Sequence, residues 1–84
     1  MSGTQEEIRR FIVDSLLVGS ERTDVEADEP LTSSGLIDSL GMLRLIAHLE
    51  EQYQMEVGDG DVGEENFGTL SRLAAFVDRR RGDS

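Results

Sequence analysis

Apolar residues recur at helical spacing in three stretches of this chain, and the segments between them are polar, glycine-bearing or both. Ile8, Phe11, Ile12 and Leu16 fall on one face of a helix. Thr4 followed by Glu7 reads as a capping box, and Glu6 and Glu7 suit the positive end of the helix dipole. With Gly19 as the stop signal, the first helix is predicted over about Thr4 to Leu17. The second is predicted from Ser39 to about Gln54. At about 100° per residue its apolar positions divide into two groups. Met42, Leu45, Ile46, Leu49 and Tyr53 form a continuous core arc, whereas Leu40, Leu43 and Ala47 lie on a flank interleaved with Arg44, Glu50 and Glu51. Gly41, His48 and Gln52 face outward. In the last stretch Leu70, Leu73, Ala74 and Val77 follow Thr69, a candidate N-cap, with Phe76 alongside. Arg79, Arg80 and Arg81 then suit the negative end of that helix. The pattern shows no strand-like alternation and no internal repeat, so it predicts an all-α bundle.

The connections differ in kind. Residues 18–38 lose all periodicity and hold the only proline, Pro30. A loop this long inside a small domain is often functional. Leu31, Leu36 and Ile37 are its spaced apolar residues and can pin it to the core, while Val25 suits a short helical turn. Residues 55–66 carry Gly58, Gly60, Gly63 and five acids, and read as a turn-rich linker. Asp59-Gly60-Asp61 invites a calcium reading, but the ligand spacing and terminal glutamate of an EF-hand are missing, so no metal is expected. Glu64 to Phe67 forms one short helical turn, with Phe67 plugging the core.

Composition narrows the picture. Eighty-four residues suit one small domain, 1–84, with an ordered core over about 4–80. There is no cysteine for a disulfide or thiolate site, no signal-peptide pattern and no apolar run long enough to span a membrane, so a cytoplasmic monomer is expected. Eighteen acids against eight basic residues, all arginine, give a net charge of −10. Such a surface repels nucleic acid and anionic lipid and attracts partners with basic patches. The catalytic inventory is thin. The single histidine, His48, lies about two and a half turns beyond Ser39, as a solvated surface residue that cannot activate its hydroxyl. The chain is not expected to be an enzyme.

A serine without a base of its own can still be the substrate of another enzyme. Asp38 is a good N-cap, Gly35 frees the backbone before it, and Ser39 is then the first helical residue. Its hydroxyl would sit beside unpaired N–H groups at the positive end of the dipole, where a phosphate is stabilised. Taken alone, Asp-Ser-Leu reads more simply as the start of a helix, a role such residues commonly have.

The run Gly35-Leu36-Ile37-Asp38-Ser39-Leu40, preceded by Asp28-Glu29-Pro30-Leu31, resembles the phosphopantetheine attachment motif of acyl and peptidyl carrier proteins. Glu64-Glu65-Asn66-Phe67 with Thr69-Leu70 is similar to the start of the family's last helix, especially in stand-alone carriers that work with adenylating ligases. The likeness runs from about Thr4 to Arg80 and includes size, acidity and the long first loop. It implies a four-helix bundle with a short third helix. It also implies that a phosphopantetheinyl transferase attaches 4′-phosphopantetheine from coenzyme A to Ser39, flanked by Asp38 and Leu40. The arm would carry acyl, aminoacyl or peptidyl cargo as a thioester from a loading ligase or acyltransferase to downstream enzymes. Leu40, Leu43, Arg44, Ala47, Glu50 and Glu51 would form the recognition surface on the second helix. Arg44 and Gly41 stand where fatty-acid carriers tend to have charged, mostly acidic residues, which favours a dedicated, secondary-metabolite pathway. The competing expectation is an acidic helical interaction module with no covalent cofactor.

Overall fold

A computed structural model describes residues 3–82. Four helices follow in chain order: α1 (Gly3–Phe11), α2 (Ser39–Tyr53), the single-turn α3 (Glu64–Phe67) and α4 (Leu70–Gly82). Among the described residues every regular element is helical. This is the four-helix bundle with a long first loop and a short third helix that the sequence led us to expect.

The first helix runs on past α1, but not as the uninterrupted α-helix expected. Ile12–Leu16 widens into a π turn, closed by Leu17 N–H donating to the Ile12 carbonyl at 2.9 Å. Burial accounts for the widening. Ile8, Ile12 and Leu17 are all in the core, at spacings of four and then five residues, and a five-residue spacing keeps one face only when the turn is π. Leu16, expected inside, is only partly buried, and Gly19 ends the run at φ +89°.

Thr4 does not cap. It lies within α1, buried, and its hydroxyl donates to Asp78 Oδ1 at 2.6 Å, tying α1 to α4. Glu7 does not reach back to close a capping box either; it accepts from the Tyr53 hydroxyl at 2.6 Å and so ties α1 to α2.

Asp38 begins α2 as expected. Its backbone is extended (φ −88°, ψ −175°) and its carboxylate accepts from Gly41 N–H at 2.7 Å. Leu45 and Leu49 are fully buried, with Met42, Ile46 and Tyr53 packed part-buried beside them. Two residues expected to face solvent do not. His48 is half-buried, with its ring stacked on Phe11 at 3.9 Å between centroids and 8° between planes. At Gly41 a Cβ would come within 3.1 Å of Ile37 Cγ2 and 3.2 Å of Asp38 Oδ1, so this position faces the incoming loop. In both cases long-range packing overrides the helical-wheel assignment.

The long loop is pinned at Val25, Leu31 and Ile37, all buried; Val25 sits in irregular backbone, not in a helical turn. Burying an aliphatic side chain of this kind stabilises by about 1.5–3 kcal/mol. The loop also satisfies backbone groups elsewhere. Leu31 N–H donates to the Gly68 carbonyl at 2.9 Å, and Ser71 N–H, one of the free donors at the start of α4, donates to the Ala27 carbonyl at 2.9 Å. A second start-of-helix donor, Arg72 N–H, is met by Thr69 Oγ1 at 3.2 Å, which makes Thr69 the cap expected. Phe67 is buried against Phe76, and Leu70, Leu73, Ala74, Phe76 and Val77 complete the core. Gly68 is buried where a Cβ would collide with the Glu64 carbonyl, so no side chain fits there.

Surface ion pairs fasten the connections. Arg22 bridges to Glu29 and Arg9 to Asp24. Asp61 lies below the ordinary carboxylate range, first because it accepts from Gly58 N–H and then because Arg80 pairs with it at 2.7 Å. Asp61 thus serves the 55–66 linker as a backbone anchor. Among the described residues no group of three or more His, Cys, Asp or Glu is arranged to hold a metal ion.

Two predictions follow from this packing. Burial disfavours the charged form of His48 and holds its pKa below the usual 6.5, with Glu51 pulling weakly the other way. The fold therefore favours the neutral ring, and this group costs stability as pH falls below 6.5. An NMR titration should place the His48 midpoint below 6.5, and Phe11→Ala should raise it; an unchanged midpoint in the variant would contradict the stack as the cause. Asp38→Ala removes the cap of α2 and should cost about 1 kcal/mol, lowering Tm by roughly 4–8 °C in thermal denaturation. An unchanged Tm would show that the cap is not needed.

Candidate functional site

The site is built where the loop meets α2. Asp38 engages two amides of the first turn: its carboxylate takes Gly41 N–H, and its carbonyl takes Met42 N–H at 2.8 Å. The N–H groups of Ser39 and Leu40 have no intrahelical acceptor and remain the available donors at the positive helix end. Ser39 itself is exposed. Before it, Gly35 takes φ +80°, a left-handed conformation that a side chain would strain, and Ile37 N–H donates to the Leu31 carbonyl at 2.9 Å. The turn that presents Ser39 is therefore closed on itself and anchored in the core by Leu31 and Ile37.

An open groove of about 780 Å³ begins at Ser39. Ile37, Met42, Leu43, Ile46 and Val62 give it apolar walls, with Thr32, Asp38 and Asp59 at its polar edges. These features suit a phosphopantetheine arm. Free amides meet a phosphate, no carboxylate other than the committed Asp38 adjoins Ser39 in the chain, and a slender amide-bearing chain has an apolar channel to lie against. When bound, such a group supplies a thiol at the end of a flexible tether. Among the described residues the single imidazole, that of His48, nine residues beyond Ser39, is stacked on Phe11.

The residues expected on the recognition face are distributed unevenly. Leu40 and Leu43, one turn apart on α2, are exposed at 67% and 64%. Ala47, Arg44 and Glu51 are exposed on the same side. Arg44 has no acid three or four residues away on α2, and no ion pair engages it among the described residues. Glu50 behaves differently. It is half-buried, and its carboxylate accepts from Val57 N–H at 2.9 Å, so it braces the linker after α2.

Sequence reasoning missed the groove. Met42 and Ile46 belong to the core arc of the helical wheel, yet both line the groove while packing part-buried. Val62 lines it from a linker whose path no periodicity describes. The available signal was a lone valine among glycines and acids, left 37% exposed here.

The family model for the phosphopantetheine attachment site matches residues 6–77. The D-alanyl carrier protein of Streptococcus uberis is 35% identical over 50 residues, covering 60% of this chain and 63% of that protein. The acyl carrier protein of Zymomonas mobilis is 27% identical over 86 residues, covering 96% of this chain and 99% of that one. A chain in a crystal structure of an FAD-dependent dehydrogenase superposes with a TM-score of 0.73 at 31% identity, over 83% of this chain and 97% of that chain. Since the family's own pattern runs through nearly every element just described, the protein belongs to the phosphopantetheine-binding carrier family: a carrier that is modified by a phosphopantetheinyl transferase and is not itself a catalyst.

Proposed function

We propose that Ser39 is the residue that carries the arm, in a single carrier domain spanning the chain. In that step the Ser39 hydroxyl attacks the pyrophosphate of coenzyme A, a phosphodiester forms, adenosine 3′,5′-bisphosphate leaves, and the hydroxyl proton passes to the transferase. One observation supports this above the others. Ser39 is exposed at the first position of α2, directly after its capping aspartate and at the mouth of an open apolar groove, in a chain of this family. The arm then holds acyl, aminoacyl or peptidyl cargo as a thioester. The tether raises the effective concentration of that cargo at each partner's active site. Leu40, Leu43, Arg44, Ala47 and Glu51 are the docking face for those partners, with Asp38 and Leu40 flanking the modified serine. Glu50 serves that face as a brace.

The likeness to a D-alanyl carrier protein favours loading by an adenylating ligase. A similar chain in the crystal structure of an FAD-dependent dehydrogenase favours a dedicated pathway whose enzymes act on arm-bound cargo. No helix among the described residues is long and apolar enough to cross a membrane, and we place the protein in the cytoplasm, where coenzyme A is available.

Intact-protein mass spectrometry, before and after incubation with coenzyme A and a broad-specificity phosphopantetheinyl transferase, tests the assignment. One phosphopantetheine should be gained by the parent chain and none by Ser39→Ala. A folded parent that gains nothing, or a variant that still gains the arm, would overturn it.

A further inference from the structure

A second groove, of about 540 Å³, lies on the other side of α2, between it and the first helix. His48, which lines it, follows Ser39 by nine residues, which on an α-helix is half a turn out of phase and about 13 Å along the axis. This groove therefore faces away from Ser39. Its floor holds the stacked rings of Phe11 and His48, both only part-buried. The other aromatic side chains are committed: Phe67 and Phe76 are buried, and the Tyr53 hydroxyl is bonded to Glu7.

The rim is charged and lopsided. Glu6, Glu7 and Asp14 stand on the first helix against one cation, Arg10. Glu6 is paired with Arg9 and Glu7 with Tyr53, but no hydrogen bond or ion pair engages Asp14 or Arg10 among the described residues. An apolar ring floor with an acid-dominated edge complements one kind of surface, an amphipathic segment with apolar residues on one face and mainly basic ones beside them.

We infer that this groove is a second docking surface, and that its occupant is a basic amphipathic helix of a partner protein. The partner's apolar side chains rest on the Phe11–His48 rings, its cations meet Asp14 and the Glu6–Glu7 edge, and Arg10 excludes an all-basic sequence in favour of one with an acid in register. A partner held there leaves Ser39 and the outer face of α2 free. The carrier can then stay attached to one protein while its arm is presented to another, which raises local concentration without blocking the chemistry.

The test uses the full chain, isotopically labelled, and a synthetic helical peptide with leucine on one face and, on the other, arginines with one glutamate in register for Arg10. Peptide addition should shift amide signals centred on residues 10–15 and 48–52, together with the His48 ring protons. Asp14→Arg, at an exposed position, should weaken binding at least fivefold more than Glu65→Arg, an equal charge reversal at an exposed site on α3, and Gln52→Arg, which adds one cation to the groove, should also weaken it. Ser39→Ala should bind as the parent does, so this result stands apart from the question of which serine carries the arm. No binding, shifts centred on Leu40 to Ala47 of the outer face, or equal weakening by Asp14→Arg and Glu65→Arg would each overturn the proposal. The last outcome would mean attraction by net charge alone.

Discussion

The hydrogen bond from Leu31 N–H to the carbonyl of Gly68 ties the long loop to the helical bundle, beside a second tie from Ser71 N–H to the Ala27 carbonyl. One end lies in a loop with no regular structure, the other at the buried junction between α3 and α4. Leu31 is fully buried beside that bond, and its own carbonyl receives Ile37 N–H, so the same residue fixes the turn that precedes α2. A bond of this type contributes about 0.5–1.5 kcal/mol net, and the aliphatic burial around it contributes more. The position of Ser39 is inherited from this junction through Ile37 and the Asp38 cap.

This arrangement suits a protein that is acted on and does not itself catalyse. A substrate serine needs access and a reproducible position, not an activated oxygen. Access comes from its place at the first residue of a helix, and position comes from a loop held by Val25, Leu31 and Ile37. The charge of −10 bears on partners more than on the fold. Most arginines are spent locally on acids or rings, as with Arg9, Arg22, Arg72, Arg80 and Arg81. Arg44 is left outward between Leu40 and Ala47, a cation on an acidic molecule, on the helix that begins at Ser39.

What could be read from the sequence was local. The caps at Asp38 and Thr69 needed only side chains within three residues, and both formed. The pinning role of Leu31 and Ile37 was legible because isolated aliphatics in a polar loop have no other stable place to go. What could not be read depended on residues far apart in the chain. Thr4 had a plausible cap role until Asp78 arrived from the far terminus to take its hydroxyl. His48 looked solvated until Phe11 covered it, and Glu50 looked free until the linker folded back to place Val57 N–H within reach. The π turn falls between these cases. The five-residue step from Ile12 to Leu17 is present in the sequence, but Leu16 offered the more ordinary α spacing. The groove beside Ser39 was invisible for a related reason, since its far wall, Val62, belongs to a linker whose path no periodicity describes.

Native-state amide hydrogen exchange at Leu31 and Ile37 tests most directly whether the loop is a built support for Ser39. Both amides should be protected to nearly the level of Leu45 and Leu73 in the helical core, and Leu31→Ala should remove that protection at Ile37. Exchange of both amides at the rate of an unstructured segment, with the helices still protected, would contradict the account. Ser39 would then sit on a helix preceded by a free loop, and its position would have to be set by whatever binds it.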